Sequence, residues 1–210
     1  MTGPALVIAT HSPHKLRELR ELLQLERANV LSLADLGVTG QPIESGRTFA
    51  ANAALKARFA ARGTGLPALA DDSGIEVDAL NGGPGVQTRR YAGPAATDAE
   101  NNAKLLRELE GLPPERRSAR YVCLLALALP EREGSRGGLP VILRQGTCRG
   151  RIAIAPRGTG GFGYDPIFEP VAEPPGGRTL GLYAAAEKHA ISHRARAARR
   201  MAAELARVGF

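Results

Sequence analysis

The stretch "LPALADDSGIEVDAL", residues 66–80, decides how the rest of the chain is read. Apolar residues lead into and out of a central Asp-Ser-Gly, which suits two short strands about a tight DSG turn. Asp71 and Asp72 then stand side by side, and adjacent carboxylates repel unless a cation or hydrogen-bond donors offset the cost. Consecutive residues of a strand face opposite sides. One aspartate is therefore expected to act as a metal ligand or base, and its neighbour as a structural acceptor. The competing reading is that both only cap the turn.

On the amino-terminal side, "ALVIAT" (5–10) is a short apolar strand, and "LRELRELLQL" (16–25) places leucines at helical spacing. Ser12-Pro13 between them suits a helix start, serine capping free amides and proline tolerating the first helical position. A second helix is predicted over 48–63, capped by Thr48 and stopped by Gly63, with Asn52 and Lys56 on one face. On the carboxyl side, "TDAENNAKLLRELEGL" (97–112) reads as a helix capped by Thr97 or Asp98. "ARYVCLLALALP" (119–130) and "LRQGTCRGRIAIAP" (143–156) read as strands flanking "EREGSRGG" (131–138), a candidate mobile hairpin tip. "RGTGGFGYDPIFEP" (157–170) is a glycine-dense loop, and the tail from 184 is helical with a break near Ser192. Strands and helices are mixed and no repeat occurs, so the class is α/β or α+β with a largely mixed sheet.

The chain has 210 residues and 22.1 kDa, which one domain spanning 1–210 accommodates. The longest uncharged apolar run, Tyr121 to Leu129, is well short of the ~20 residues a membrane helix needs. The first ten residues lack a basic and then apolar leader, so a cytoplasmic location is expected. Cys123 and Cys148 show no metal-ligand spacing and read as buried thiols. A net charge of +7 and a pI near 10.0 suit phosphate-bearing partners, polymeric or small. Aromatics make up only 4% and no basic stripe alternates with them, which argues against a nucleic-acid-binding surface.

Nearly all of the positive charge is arginine; Lys15, Lys56, Lys104 and Lys188 are the whole lysine set. Three of these, Lys15, Lys56 and Lys188, fall in or beside helices near loops, where they could surround a polyphosphate. Glu44, Asp71 and Asp72 are the carboxylates beside turn-forming residues, and a hard cation such as magnesium takes one or two carboxylates plus waters and substrate phosphates. In "GGFGYDP", Phe162 could stack on a base and main-chain amides could read its edge. His189 and His193 have no further ligand type beside them, so zinc is not expected.

Taken together, "IATHSPHKLRE" (8–18), "ESGRTFAANAALKA" (44–57), "LADDSGIEVDALNGGPGV" (69–86), "RYAG" (90–93), "ARYVCLLAL" (119–127), "PRGTGGFGYDPIFEP" (156–170) and "EKHAISHR" (187–194) occur in an order that resembles the inosine triphosphate pyrophosphatase family, the Ham1-like or RdgB-like dITP/XTP pyrophosphatases. The resemblance implies a long mixed β-sheet flanked by helices, with two lobes and a central active-site cleft. It also implies Mg2+-dependent hydrolysis of non-canonical purine nucleoside triphosphates (ITP, dITP, XTP) to monophosphate and pyrophosphate, by a homodimer without nucleic-acid or membrane partners. Carried over by position, Asp72 is the catalytic acceptor and a metal ligand, and Glu44 a second metal contact. Thr10, Ser12, Lys15, Lys56 and Ser73 fall where phosphates and sugar are handled. Phe162, Gly163, Tyr164, Asp165, Lys188, His193 and Arg194 fall where the nucleotide and base are bound. Three departures stand out: Ser12 replaces the usual asparagine, Thr88-Arg89 the usual serine and alanine, and Gly181-Leu182-Tyr183 the usual alanine-glutamate-leucine. A Maf-like pyrophosphatase is the nearest alternative, and the GGFGYDP and ISHR blocks argue against it.

Overall fold

The computed structural model describes residues 3–130 and 139–210; the candidate hairpin tip at 131–138 lies outside them. In chain order the elements are β1 (Ala5–Ile8), α1 (Pro13–Leu23), β2 (Asn29–Ser32), α2 (Phe49–Thr64), β3 (Ala68–Val77), α3 (Asp98–Glu108), β4 (Ser118–Ala128), β5 (Val141–Ile152), β6 (Phe168–Pro170), α4 (Ala185–Ile191) and α5 (His193–Arg207). The strands form one six-stranded sheet in the order β2-β1-β3-β4-β5-β6. It is mixed: β1 pairs in parallel with β2 and β3, whereas β5 and β6 run antiparallel.

The main difference from the sequence reading is β3. Residues 68–77 are one continuous strand, and Asp72-Ser73-Gly74 lies within it instead of turning it. Aspartate and glycine are poor strand formers, which is why local chemistry suggests a turn. Tertiary contacts override that preference here, because cationic side chains meet both carboxylates. Gly63 likewise does not end α2; the helix runs to Thr64 and stops at Gly65, whose φ of +67° is the left-handed conformation glycine adopts without a Cβ penalty. Thr48, Ser12 and Thr97 all cap as expected, Thr97 with Glu100 in a reciprocal capping box.

Two compact units arise from interleaved segments. The first draws on Met1–Asp72, Cys123–Gly146 and Arg194–Phe210. Its core joins Leu6 and Ile8 of β1, Leu19 and Leu23 of α1, Leu69 of β3, Leu125 and Leu127 of β4, and Ala197, Ala198, Met201 and Leu205 of α5. Leu6, Val7 and Ile8 are all 0% exposed, as befits a parallel strand covered on both faces. The second unit draws on Ser73–Val122 and Thr147–His193. Ile75, Val77, Leu105, Leu109, Tyr121, Ile152, Tyr164, Ile167, Phe168 and Leu180 form its core. Burying one such leucine, isoleucine or phenylalanine contributes about 1.5–3 kcal/mol, so each unit has a substantial core of its own. Among the described residues no helix is long and apolar enough to cross a membrane.

Candidate active site

The register of β1 on β3, Val7 with Ala68 and Ile8 with Leu69, ends β1 alongside β3 just ahead of the aspartate pair. The chain then turns into α1: the Ser12 amide donates to Thr10 Oγ1 at 3.1 Å, and Ser12 Oγ accepts from the Lys15 amide at 3.4 Å. Serine in place of asparagine thus serves as the helix cap. Lys15, in the first turn, reaches Asp71 and donates to its Oδ1. The other oxygen, Oδ2, accepts from Arg194 Nε at 2.8 Å and Cys123 Sγ at 3.2 Å. Arg194 also pairs through Nη1 with Glu18 of α1. Burial pushes the Asp71 carboxyl up, but Arg194 and Lys15 outweigh it and hold it well below the usual carboxylate range. Asp71 therefore carries a permanent charge inside a buried ionic network.

Asp72 has different company. Its Oδ1 accepts from Lys56 Nζ at 2.6 Å, and the same ammonium lies 3.7 Å from Glu44 Oε1. Burial raises the Asp72 pKa, Lys56 and then Lys15 oppose the rise, and Glu44 adds to it; the net shift is upward. A carboxylate shifted this way is a stronger proton acceptor than a free one. The neighbouring loop is tied to α2 by Asn52, fully buried, whose Oδ1 accepts the Gly46 amide at 2.8 Å. The strand's alternation thus separates a buried, strongly acidic Asp71 from a more accessible and more basic Asp72. Two carboxylates of the Glu44 and Asp72 kind, already sharing one cation, suit the oxygen-donor chemistry of magnesium, which completes its shell with waters and phosphate oxygens. Among the described residues no group of three or more acidic, histidine or cysteine side chains is clustered for metal binding.

Within the second unit, residues 162–165 form a tight loop. Asp165, 2% exposed, accepts the Phe162 amide at 2.9 Å and Lys188 Nζ at 2.8 Å on Oδ2. That ammonium also sits 4.7 Å from the centre of the Phe162 ring. His193 stacks on Tyr121 with ring centres 4.6 Å apart and planes within 6°, and the Tyr121 hydroxyl donates to Asp165 Oδ1 at 3.4 Å. Tyr164 belongs to the core, its hydroxyl donating to the Thr88 carbonyl at 2.8 Å. Thr88 Oγ1 meanwhile accepts the Ile75 amide at 2.9 Å, so the hydroxyl expected from the usual serine is present. At Gly181 a Cβ would meet the Arg157 carbonyl oxygen at 2.7 Å, so the backbone as it stands leaves no room for a side chain there.

The predicted residues therefore gather in groups: Lys15, Asp71 and Arg194; Lys56, Asp72 and Glu44; Phe162, Asp165 and Lys188; and His193 on Tyr121. Adjacent residues of "SHR" have separate partners: Arg194, 1% exposed, pairs with the carboxylates of Glu18 and Asp71, while His193 stacks on Tyr121. Ser73 follows Asp72 on β3 and is partly buried. The amides of Phe162 and Gly163, candidates for reading a base, are committed to Asp165 and Asp98. Sequence reasoning missed Glu18, Tyr121, Asp98 and Asn102. The i,i+3 spacing of Lys15 and Glu18 and the i,i+4 spacing of Asp98 and Asn102 were the available signals.

The Ham1 family model matches residues 6–204, nearly the whole chain. The chain belongs to the Ham1 family. Among relatives, it is 49% identical to the dITP/XTP pyrophosphatase of Geobacillus kaustophilus over 91% of this chain and 89% of that one. To the dITP/XTP pyrophosphatase of Thermus thermophilus it is 45% identical, over 95% and 90% of the two chains. The solved HAM1 protein of Coxiella burnetii superposes with a TM-score of 0.84 at 41% identity, covering 97% of this chain and 99% of that one. The Staphylococcus aureus Ham1 protein gives 0.82 at 34% identity, over 96% and 97%. The Ham1 fold thus extends over both units.

Proposed function

We propose that the protein hydrolyses non-canonical purine nucleoside triphosphates, ITP, dITP and XTP, to the monophosphate and pyrophosphate. The observation that carries this reading is the Asp72–Lys56–Glu44 cluster in a chain 49% identical, over 91% of its length, to a dITP/XTP pyrophosphatase. Asp72 takes the proton of the water attacking the α-phosphorus, and its raised pKa suits that task. Lys56 opposes the rise in the Asp72 pKa and, with Lys15 held in place by Asp71, supplies positive charge for the developing pyrophosphate leaving group. Thr10, Ser12 and Ser73 supply short polar contacts to phosphate and sugar. Glu44 and Asp72 would hold Mg2+, which when bound neutralises phosphate charge and orients the triphosphate.

For the base, the Phe162 ring is the stacking surface, with Lys188 and His193 as donors toward a 6-oxo group. Hypoxanthine and xanthine carry an acceptor at that position and adenine a donor. A mismatched, unpaired polar group costs about 1–3 kcal/mol, or roughly tenfold to hundredfold in discrimination. Asp71 and Arg194 act behind the site, fixing Lys15 at the mouth of α1. The active species is a cytoplasmic homodimer without nucleic-acid or membrane partners. The test is product analysis with ITP, dITP, XTP, dUTP, ATP and GTP in magnesium buffer. Monophosphate and pyrophosphate from the first three, with ATP at least about tenfold slower, are expected. Orthophosphate as the first product, or ATP as the best substrate, would refute the reading.

A further inference from the structure

We propose that Asp98 and Asn102 of α3 are positioning residues that hold the Gly163 peptide, and with it Phe162, in the conformation that receives the purine base. This rests on the reading of residues 162–165 as base-binding. Asp98 and Asn102 are one turn apart and share a face of α3. Asp98 Oδ2 accepts the Gly163 amide at 2.6 Å, and Asn102 Nδ2 donates to the Gly163 carbonyl at 3.1 Å. One helix thereby engages both polar groups of a single residue.

Several features show that the clamp is specific. Asn102 is 7% exposed, and its Oδ1 is buried with no hydrogen-bond partner among the described residues. Leaving that atom bare is unfavourable, and turning the amide over would be worse, because Oδ1 would then face the Gly163 carbonyl. The side chain is thus dedicated to its one bond with Gly163. Gly163 has φ of +64°, while a Cβ there would meet nothing within 4 Å, so backbone conformation and not space dictates glycine. The preceding residue is fixed independently: the Phe162 amide donates to Asp165 at 2.9 Å, and Lys188 joins Asp165 while lying over the Phe162 ring. The helix carrying the clamp is itself secured by the Thr97–Glu100 capping box. Without the α3 bonds the peptide that follows Phe162 loses its tie to the helix, and base affinity falls while the chemistry of Asp72 is untouched.

The experiment compares wild type with Asn102→Ala, Asn102→Asp, Asp98→Ala and Asp98→Asn, all as full chains. Calorimetric titrations with IMP and with inorganic pyrophosphate in magnesium buffer are read beside KM and kcat for ITP. Asn102→Ala and Asp98→Ala are expected to weaken IMP binding and raise KM by about tenfold, leaving pyrophosphate affinity and kcat within about threefold of wild type. Asn102→Asp sets a carboxylate against a carbonyl and is expected to be worse than alanine. Asp98→Asn keeps an acceptor for the Gly163 amide and is expected to restore binding, a rescue that loss of mere helix stability would not show. Unchanged IMP affinity and KM, or equal loss of IMP and pyrophosphate, would overturn the proposal. If wild type takes neither ITP nor IMP, the base-binding reading fails separately, and amide hydrogen exchange across residues 159–166 decides the clamp. Faster exchange in Asn102→Ala upholds it, and unchanged exchange overturns it.

Discussion

Replacing Arg194 by methionine is expected to be the most destabilising conservative-volume change in the first unit, and its cost is expected to depend on pH. The guanidinium is 1% exposed and holds Asp71 through Nε at 2.8 Å and Glu18 through Nη1. Removing one partner from a buried ionic network costs about 3–5 kcal/mol, because the carboxylates stay buried while their main cation is gone. For a chain of this size, each kcal/mol corresponds to roughly 2–4 °C in Tm, so a fall of about 6–20 °C is expected. The sign with pH follows from Asp71, whose folded pKa lies below its unfolded value. Its contribution is fully present above the unfolded pKa, about 3.9, and is lost as pH falls through the depressed folded value. In Arg194→Met, burial dominates and the folded pKa rises, so acidification relieves the variant before it harms wild type. Urea denaturation at pH 7.5 and at pH 4.5 should therefore show a stability gap that narrows on the acid side. A gap below about 1 kcal/mol, or one of equal size at both pH values, would refute the buried-network reasoning.

The remaining expectations concern the Asp72 side of the site. Lys56→Met removes the largest influence lowering the Asp72 pKa, so the acid limb of the kcat/KM profile for ITP should move to higher pH; Glu44→Gln removes an influence raising it and should move the limb the other way. Shifts in the same direction would contradict the assignment of Asp72 as base. Asn52→Ala deletes the acceptor of the Gly46 amide and should cost about 1–2 kcal/mol in urea denaturation while raising the magnesium concentration for half-maximal turnover. An unchanged magnesium requirement would contradict the assignment of Glu44, on the loop that Asn52 holds, as a metal ligand.

Helices were the most legible part of the sequence, because their signals are local: Ser12, Thr48 and Thr97 each announce a start that the backbone confirms. Stops were less so, since Gly63 and Gly65 are both plausible ends and only φ distinguishes them. The DSG segment misleads for a physical reason. Turn chemistry is a short-range preference, whereas Lys15, Lys56 and Arg194 approach β3 from distant points in the chain and make a charged strand interior stable. Short edge strands went unnoticed: "NVLS" shows no clear alternation, and "FEP" is hidden at the end of a glycine-rich loop. At the site, residue types and their blocks were readable, but partner choice was not. Nothing in "SHR" reveals that Arg194 belongs with Asp71 and Glu18 while His193 stacks on Tyr121. Asp98 and Asn102 likewise look like ordinary polar positions of a solvated helix until Gly163 is placed against them.

Adjacent aspartates divide the labour, Asp71 holding the ionic network and Asp72 accepting the proton, and the Asp72→Asn variant probes that division when ITP turnover and urea midpoint are measured on the same preparation. Because the folded pKa of Asp72 is raised, burying its charge does not favour folding at neutral pH, so the midpoint should be unchanged or higher. Pyrophosphate release should fall by roughly 10²- to 10⁴-fold, as loss of a general base requires. Turnover within about threefold of wild type, with the fold intact, would show that Asp72 is not the base.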